Sequence, residues 1–557
     1  MADSQQLKSR QLLSALREGK LSRRDFMVRA AVLGFSASAI NAFLIACGGT
    51  ATATPAPSAP SARPSGSAVG SASGAASASG SAASASGSTA ASASRSGAAS
   101  ASGSPAASAG ASANASAAAT RPTGATPGTS GTPGTSGTPG ATGGTFSREA
   151  PPTVANAAQA KQFSSQKVTY VGGQVGSDAD FDQILTKKFT ADTGIQVNLI
   201  PGPPEATERY AQYQRTFQGQ SADIDVMMID VIWPAAFAQF LVDMNPKLGD
   251  LAKQNVDGII QNNTVDGKLV GMPWFGDFGI LYYRTDLLQK YGFSAPPKTW
   301  QELQQQAQKI ADGEKGANAS FAGFAFQGKA YEGLTCNALE WFASNGAGQF
   351  IENGKVTINS PTGVQVLNLL KSFVGTVSPR GVTTYAEDET AQAFTNGNAA
   401  FARNWPYMYA IANGANSAVK GKFDVAALPA AQGQKPSGTL GGWQLGVSRF
   451  SKSQDAALEF VRYMCGPEVI AWRGVVGSYV PLQPSVINNP AVQRAQPYLK
   501  NLADVVRVTR PSNGLGENYN QGSTIIFQAV NQVLNGGDAQ QQLQTAQSQL
   551  ERLVRKT

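Results

Sequence analysis

The spacing of apolar residues between positions 167 and 200 predicts a β-α-β unit. Residues 168–171 form a short apolar run that ends at a glycine pair. From 180 to 192 the apolar residues recur at helical spacing, and Gly194 follows as a stop signal. Residues 195–200 then predict a second strand. Consecutive β-α-β units form parallel sheets with right-handed crossovers, so we expect an α/β fold.

The same alternation continues along the chain without an internal repeat. Residues 225–230 predict a buried strand that ends in an acid, and Thr299 with Glu302 forms a capping box that opens a helix through 311. Residues 453–464 and 539–553 predict two more helices. Regular structure is expected to begin near Lys167. About 390 folded residues exceed one comfortable core, which favours two α/β lobes.

The first 47 residues are typical of an export signal. Arg23 and Arg24 precede a weakly apolar run, 28–46, that is too polar for a convincing spanning helix. An arginine pair before such a run is typical of a twin-arginine signal, although a short amphipathic helix is the alternative. Residues 44–49 are similar to a bacterial lipobox, in which the cysteine receives a diacylglyceryl group. We therefore expect Cys47 to be a lipid anchor.

Residues 48–165 predict a disordered tether. Up to position 147 this tract consists almost wholly of Ala, Ser, Gly, Thr and Pro, with no acidic residue. Such a composition buries too little apolar surface to offset the entropy of ordering. A flexible coil of about 100 residues spans roughly 50–60 Å, which would hold a folded module off a membrane and clear of a cell-wall layer.

Charge and composition exclude several function classes. The net charge of +8 lies almost wholly in the first 147 residues, so the folded part carries no electrostatic footprint for nucleic acid. The chain has no histidine, which excludes every His-based catalytic or metal site. Asp178, Asp180 and Asp182 resemble the start of an EF-hand, but the later loop positions lack the required Gly and Glu. We expect no cofactor and no metal.

The cysteines leave one question open. Cys47, Cys336 and Cys465 match no zinc spacing and no redox pair. Cys336 and Cys465 either form a disulfide in an oxidising compartment or remain buried free thiols.

Four motifs resemble one known family. The run 267–274 (GKLVGMPW), followed by 281–288 (LYYRTDLL), is similar to the lobe-crossing segment of extracellular solute-binding protein family 1, the maltose-binding type. The run 441–448 (GGWQLGVS) is similar to a later crossing, and Asn404-Trp405-Pro406 and Arg510-Pro511 add two landmarks. The resemblance covers residues 166–555, and its motifs are most similar to those of the trehalose/maltose-binding proteins of ABC importers.

This resemblance implies the fold and the partners. The expected fold is the type II periplasmic-binding-protein fold, in which hinge-linked lobes enclose a cleft. Lobe 1 would comprise 166–276 plus about 430–485, and lobe 2 would comprise 277–429 plus about 486–557. The implied protein is a monomer without enzymatic activity. It would close around a carbohydrate, such as trehalose or maltose, and deliver it to the membrane permease of an ABC importer.

Acids and tryptophans supply the first candidate site residues. Asp230 lies at the carboxyl end of a predicted strand, where α/β sheets bind ligands, or else it caps the helix that follows. Asp277, between glycine and aromatics, is hard to explain as core without a partner. Trp405 and Trp443 are stacking candidates, with core packing as the alternative. Gly442 lets backbone approach a ligand closely.

The resemblance implies the remaining candidates and two departures. Arg209 and Arg510 would donate to the sugar, with an exposed helix arginine as the alternative for Arg209. Phe275 would stack where the related branch has tyrosine. An early acidic contact is matched only loosely, by Asp178, and residues 425–429 lack an acid that the branch can supply. These departures leave the identity of the sugar open.

Two other functions fit parts of the same pattern. A glycoside hydrolase would use Asp230 and Asp277 as paired carboxylates, although no glycosidase motif is recognisable. A sensor subunit that reports a sugar to a membrane receptor would use the same fold and site.

Overall fold

The computed structural model describes residues 146–554. The candidate export residues Arg23, Arg24 and Cys47, and the predicted tether up to position 145, lie outside the described residues.

Ordered structure begins earlier than the sequence predicts. The Trp472 indole donates to the carbonyl of Ser147 at 2.6 Å, and the Tyr463 hydroxyl donates to the carbonyl of Pro152 at 2.9 Å. Val154 is buried in the apolar core. The predicted start near Lys167 is therefore wrong. This segment is held by isolated contacts to distant residues, which leave no periodic pattern in the sequence.

Two sheets organise the described chain. A six-stranded sheet has the order β14-β13-β3-β1-β2, with β6 also paired to β13, and a four-stranded sheet has the order β12-β7-β11-β8. The predicted parallel pairing of the first two strands is confirmed, with Lys167 opposite Gln196. The strands are β1 Lys167–Gly172, β2 Gln196–Pro201, β3 Val226–Asp230, β4 Thr264–Val265, β5 Lys268–Leu269, β6 Met272–Phe278, β7 Ile280–Arg284, β8 Ala322–Ala325, β9 Ile351–Glu352, β10 Lys355–Val356, β11 Ala399–Asn404, β12 Phe423–Ala426, β13 Ser437–Val447 and β14 Val506–Val508.

Helices cover both sheets, and local signals set several of their ends. Gly194 ends a helix at φ 81°, a conformation that favours glycine, and the Thr299–Glu302 capping box is present as predicted. The helices are α1 Ala157–Ala160, α2 Asp178–Thr193, α3 Ala206–Gln218, α4 Pro234–Phe237, α5 Asn245–Ala252, α6 Asp257–Asn263, α7 Thr285–Lys290, α8 Trp300–Glu314, α9 Glu332–Ser344, α10 Pro361–Phe373, α11 Glu387–Thr395, α12 Met408–Ala412, α13 Gln454–Met464, α14 Pro467–Gly477, α15 Pro484–Ile487, α16 Pro490–Ala495, α17 Ser512–Leu515, α18 Tyr519–Leu534 and α19 Ala539–Leu550. Among the described helices, none combines the length and apolar character needed to span a membrane.

One buried ion pair holds two of the segments that run between the sheets. The chain passes from β6 to β7 through Gly279, and a Cβ at this position would lie 1.9 Å from Glu340 Oε1. It returns from β12 to β13, where the Thr439 amide donates to the same oxygen at 3.1 Å. Arg403 pairs with Glu340 through contacts of 2.9 and 2.5 Å, and both side chains are fully buried. Glu340 thus fixes both crossings at one point.

We expect Glu340→Gln to destabilise the protein by about 3–5 kcal/mol, because it leaves the buried Arg403 guanidinium without its counter-charge. Urea unfolding followed by far-UV circular dichroism measures the change. The matched control is Glu314→Gln, which removes the carboxylate of the more exposed Lys290–Glu314 pair and should change stability by about 1 kcal/mol or less. Equal effects of the two substitutions would contradict this role for Glu340.

Candidate ligand-binding site

A cavity lies where segments from both sheets meet. It contains about 630 Å³ of empty space, counting the space at its open mouth. Its walls are rich in carboxylates and aromatic rings. The lining residues are Val175, Asp178, Pro204, Ala206, Asp230, Phe275, Asp277, Tyr331, Glu332, Gly333, Cys336, Glu387, Trp405, Tyr407, Gly441, Gly442, Trp443, Tyr479 and Arg510.

Strand register brings most of the candidate residues together. On β13, Trp443 lies opposite Asp230 of β3 on one side and opposite Phe275 of β6 on the other. Gly441 lies opposite Asp277. The cavity is lined by all of the candidate binding residues except Arg209, that is, by Asp230, Phe275, Asp277, Trp405, Gly442, Trp443 and Arg510.

Arg209 supports the cavity from behind. Its guanidinium donates to the carbonyl of Gly172 at 2.8 Å and to that of Pro203 at 2.8 and 3.1 Å. It lies 5.5 Å from the ring of Trp443 and is 2% exposed. The alternative of an exposed helix arginine is therefore wrong. Arg209 fixes the chain between β2 and α3, and it lies against the tryptophan rather than in the lining.

Arg510 joins two carboxylates from different parts of the fold. It binds Asp230 in a fork, with contacts of 2.6 and 3.1 Å, and it binds Glu332 at 2.9 Å. Glu332 also accepts hydrogen bonds from Tyr519 at 2.5 Å and Ser523 at 2.6 Å. Burial raises the pKa of Glu332, although Arg510 opposes this shift. The bridge links the end of β3 to the start of α9.

The Asp230 carboxylate takes this ion pair and accepts only a long contact of 3.4 Å from the Ile232 amide. The N-cap position of α4 is Trp233, and no side-chain cap is made there. The alternative that Asp230 caps the following helix is not realised.

Neighbouring side chains hold the two candidate tryptophans in place. The Arg403 guanidinium lies 3.9 Å from the Trp405 ring, and the indole N–H donates to Glu387 at 3.3 Å. Trp443 meets Trp233 edge to face, with ring centroids 5.7 Å apart. Each indole is thus oriented by neighbouring side chains while it still forms part of the wall. This arrangement preorganises flat apolar surfaces for a ligand.

Asp277 is the carboxyl in the wall that lacks a partner. It is 7% exposed, and within residues 146–554 nothing lies within hydrogen-bonding reach of its Oδ1. Burial raises the pKa of Asp277 well above its ordinary range, and the charge of Asp178 adds to the shift. A buried acceptor without a donor is costly, so this oxygen is a natural contact for a ligand donor.

Gly442 is required by backbone geometry. Its φ is 126°, which favours glycine, and a Cβ there would lie 2.5 Å from the carbonyl oxygen of Phe275. The close approach that excludes a side chain is therefore between β13 and β6.

Phe275 stands edge-on to Tyr479, with ring centroids 4.7 Å apart, and it is 3% exposed. The Arg473 guanidinium lies 5.1 Å from its ring and pairs with Asp178 at 2.7 Å. The loosely matched Asp178 is thus a lining residue with its charge already compensated.

Sequence reasoning missed several lining residues. Glu332 and Glu387 open α9 and α11, where an acid is ordinarily explained by the helix dipole, so no local signal marked them. Glu332 and Glu387 supply carboxylates to the wall, whereas residues 425–429 contain no acidic residue. Ala426, Ala427 and Leu428 line a separate surface groove. Tyr331, Tyr407 and Tyr479 were missed because isolated tyrosines carry no pattern.

The two cysteines of the described chain, Cys336 and Cys465, are buried free thiols. Cys336 lines the cavity, whereas Cys465 lies in an apolar cluster. Burial raises the pKa of both thiols. In residues 146–554, no cluster of acidic and cysteine side chains is suited to hold a metal ion.

Comparison with known proteins places the fold in a family. The family model described as bacterial extracellular solute-binding protein matches residues 172–471. The chain belongs to this family. A "Probable ABC transporter-binding protein" of Deinococcus radiodurans is 44% identical over 406 residues, covering 72% of this chain and 96% of the relative. The resemblance in the four sequence motifs is thereby confirmed.

Solved structures of solute-binding proteins share the fold. Maltose-bound MalE3 of T. maritima has 34% sequence identity and a TM-score of 0.66, covering 70% of this chain and 100% of its own. A solute-binding protein of Thermotoga lettingae, bound with α-D-tagatose, has 24% identity and a TM-score of 0.61, covering 70% and 99%. The predicted two-lobed α/β fold is confirmed, while the residue boundaries of the lobes stay a prediction.

We expect Asp277→Asn to make the ligand-free protein less sensitive to rising pH. The native carboxyl keeps its proton to a higher pH than the unfolded one, whose pKa is about 3.9. Between the unfolded and the native pKa of this carboxyl, the native state binds more protons than the unfolded state. The free energy of unfolding therefore falls as pH rises through this range. The asparagine variant loses this contribution, and its stability relative to wild type should grow with pH.

Urea unfolding at about pH 5 and about pH 8 measures this difference. Asp504→Asn, at an exposed position, is the control and should track wild type at both values. If Asp277→Asn also tracks wild type, Asp277 does not keep its proton in the native state.

Proposed function

We propose that this solute-binding protein captures a small carbohydrate, such as maltose or trehalose, and delivers it to the membrane permease of an ABC importer. The observation that carries the proposal is the pairing, in one cavity, of oriented tryptophan rings with a buried acceptor that has no partner. Trp405 and Trp443 provide the rings, and Asp277 Oδ1 is the acceptor.

The chemistry of a sugar matches this wall. The C–H face of a pyranose stacks on an indole, and its hydroxyls donate to carboxylates. Asp277 is open to such a donor, whereas Asp230 and Glu332 are already oriented by Arg510. The free capacity of the site for new hydrogen bonds therefore lies beside the aromatic surface.

The relatives support the class of ligand and partner. MalE3, with 34% identity, was solved with maltose bound. The Deinococcus relative is described as an ABC transporter-binding protein. We assign a disaccharide as the ligand, and the Phe275 position, where the related branch has tyrosine, is one place where selectivity would differ.

Binding would act through hinge closure and involve no covalent chemistry. A ligand held by residues near β6 and β13 gains further contacts from Trp405 and Glu387 when the two sides approach, and this difference favours the closed state. We propose that the protein acts as a monomer and that its closed form is recognised by the permease.

We also propose that the protein is exported and lipid-anchored on the outer face of the cytoplasmic membrane. This part rests on the arginine pair Arg23-Arg24, the lipobox-like run that ends in Cys47, and the polar tract behind it. Two or more acyl chains hold a protein firmly where one chain binds only marginally.

A thermal-shift screen against mono- and disaccharides tests the ligand class. A ligand at 100 times its Kd should stabilise the native state by about 2.7 kcal/mol. Trp443→Leu and Asp277→Asn should each weaken binding at least about tenfold, the equivalent of losing about 1.4 kcal/mol of contacts. Gln305→Ala, on the surface of α8, is the control and should bind as wild type does.

Two results would contradict the proposal. One is stabilisation by another class of small molecule with none by carbohydrate. The other is hydrolysis of a disaccharide by the pure protein, which would favour the glycosidase alternative.

Cell fractionation tests the anchor. The wild-type chain should partition with membranes, and Cys47→Ala should be found in the soluble exported fraction or retained as precursor, because the acyl chains have no attachment point. Replacing Arg23 and Arg24 with lysines should block export. Membrane association that survives Cys47→Ala would contradict the assignment of the anchor.

A further inference from the structure

A second ion pair links the two sides of the molecule at the edge of the cavity. Glu205 immediately precedes α3, which connects two strands of the six-stranded sheet, and Lys329 follows β8 of the four-stranded sheet. Their side chains form a salt bridge between positions 124 residues apart. The contact therefore spans both halves of the fold.

The Lys329 end of this ion pair is attached to fixed backbone, and a further contact lies beside the pair. The Lys329 amide donates to the carbonyl of Tyr385 at 3.0 Å, and the preceding carbonyl of Gly328 accepts from Asn531 at 2.8 Å. Beside the pair, the Glu332 amide donates to Thr207 Oγ1 of α3 at 3.1 Å. The start of α3 and the start of α9 are thus held together by two contacts.

The pair lies beside one end of the cavity without lining it. Pro204 and Ala206, on either side of Glu205, line the cavity, as do Tyr331 and Glu332 just after Lys329. The two charged side chains themselves are not in the lining. Separating them would move these wall residues apart, whereas a ligand inside would touch neither charge.

We propose that Glu205 and Lys329 form a clasp that holds this end of the cavity closed and so sets ligand affinity without contacting the ligand. The closing role rests on the geometry of the pair, and only its effect on affinity rests on the proposed function. Lys329 is 41% exposed and Glu205 17%, so salt screens the attraction and its contribution is modest.

The labelling rates of two native cysteines allow closure of the cavity to be measured. Cys336 lines the cavity and is 2% exposed, and Cys465 is fully buried in a different cluster. In the full-length protein without sugar, maleimide labelling at each cysteine is followed by peptide mass spectrometry. Lys329→Met should raise the labelling rate of Cys336 about two- to fivefold, the range expected for losing one exposed ion pair, and leave that of Cys465 unchanged.

Lys290→Met is the matched control, since it removes a pair of similar exposure between α7 and α8. It should leave both rates unchanged. Added salt should raise the Cys336 rate in wild type and have little effect in Lys329→Met, because the screened attraction is then absent. An unchanged Cys336 rate in Lys329→Met, or a parallel rise at Cys465, would overturn the clasp.

Labelling in the presence of increasing sugar concentrations gives a separate measurement. Sugar should slow Cys336 labelling in wild type. Lys329→Met should need a sugar concentration about two- to fivefold higher for the same protection of Cys336. If no sugar protects Cys336, the proposed carbohydrate function fails, while the sugar-free rates still decide the clasp. Equal sugar requirements in the two proteins would overturn its role in affinity.

Discussion

The cavity depends on one buried guanidinium. Arg510 is paired with Asp230 at the end of a strand and with Glu332 at the start of a helix on the other side. None of these charges is stable in the interior alone, since removing one partner leaves another uncompensated. The three charged side chains must therefore come together when the chain folds. This requirement fixes where β3, α9 and the segment that carries Arg510 meet. The wall is built around that point.

The remaining charged groups of the wall follow the same constraint, with the exception of one carboxyl. Arg403 and Arg209 lie against Trp405 and Trp443, and Arg473 compensates Asp178. The exception is Asp277, whose raised pKa reflects burial without a partner. Among the described residues, the wall thus satisfies nearly every charge and leaves the Asp277 carboxyl open, together with the hydroxyls of Tyr407 and Tyr479, so its capacity for new hydrogen bonds lies at these groups. The free energy spent on burying that carboxyl in the empty state is recovered when a ligand donates to it.

How much of this the sequence predicts depends on how local each signal is. The β-α-β unit and the Thr299 capping box were predicted because their determinants lie within a few residues. The Trp443 motif was recognisable as a whole. Glu332 had no such marker, because its role comes from Arg510, 178 residues away. The burial of Arg209 had no clear marker either, since one of its partners is the distant carbonyl of Gly172.

The two ion pairs that cross the molecule differ in what they can control. The Arg510 bridge is buried, so breaking it exposes uncompensated charge and would cost too much for routine opening. The Glu205–Lys329 pair is partly exposed, so water and salt replace much of its attraction. A ligand shifts the equilibrium between open and closed states only by its differential affinity for them. The buried bridge therefore specifies the geometry. The weaker Glu205–Lys329 pair is able to tune how much differential affinity a ligand needs in order to shift the equilibrium to the closed state.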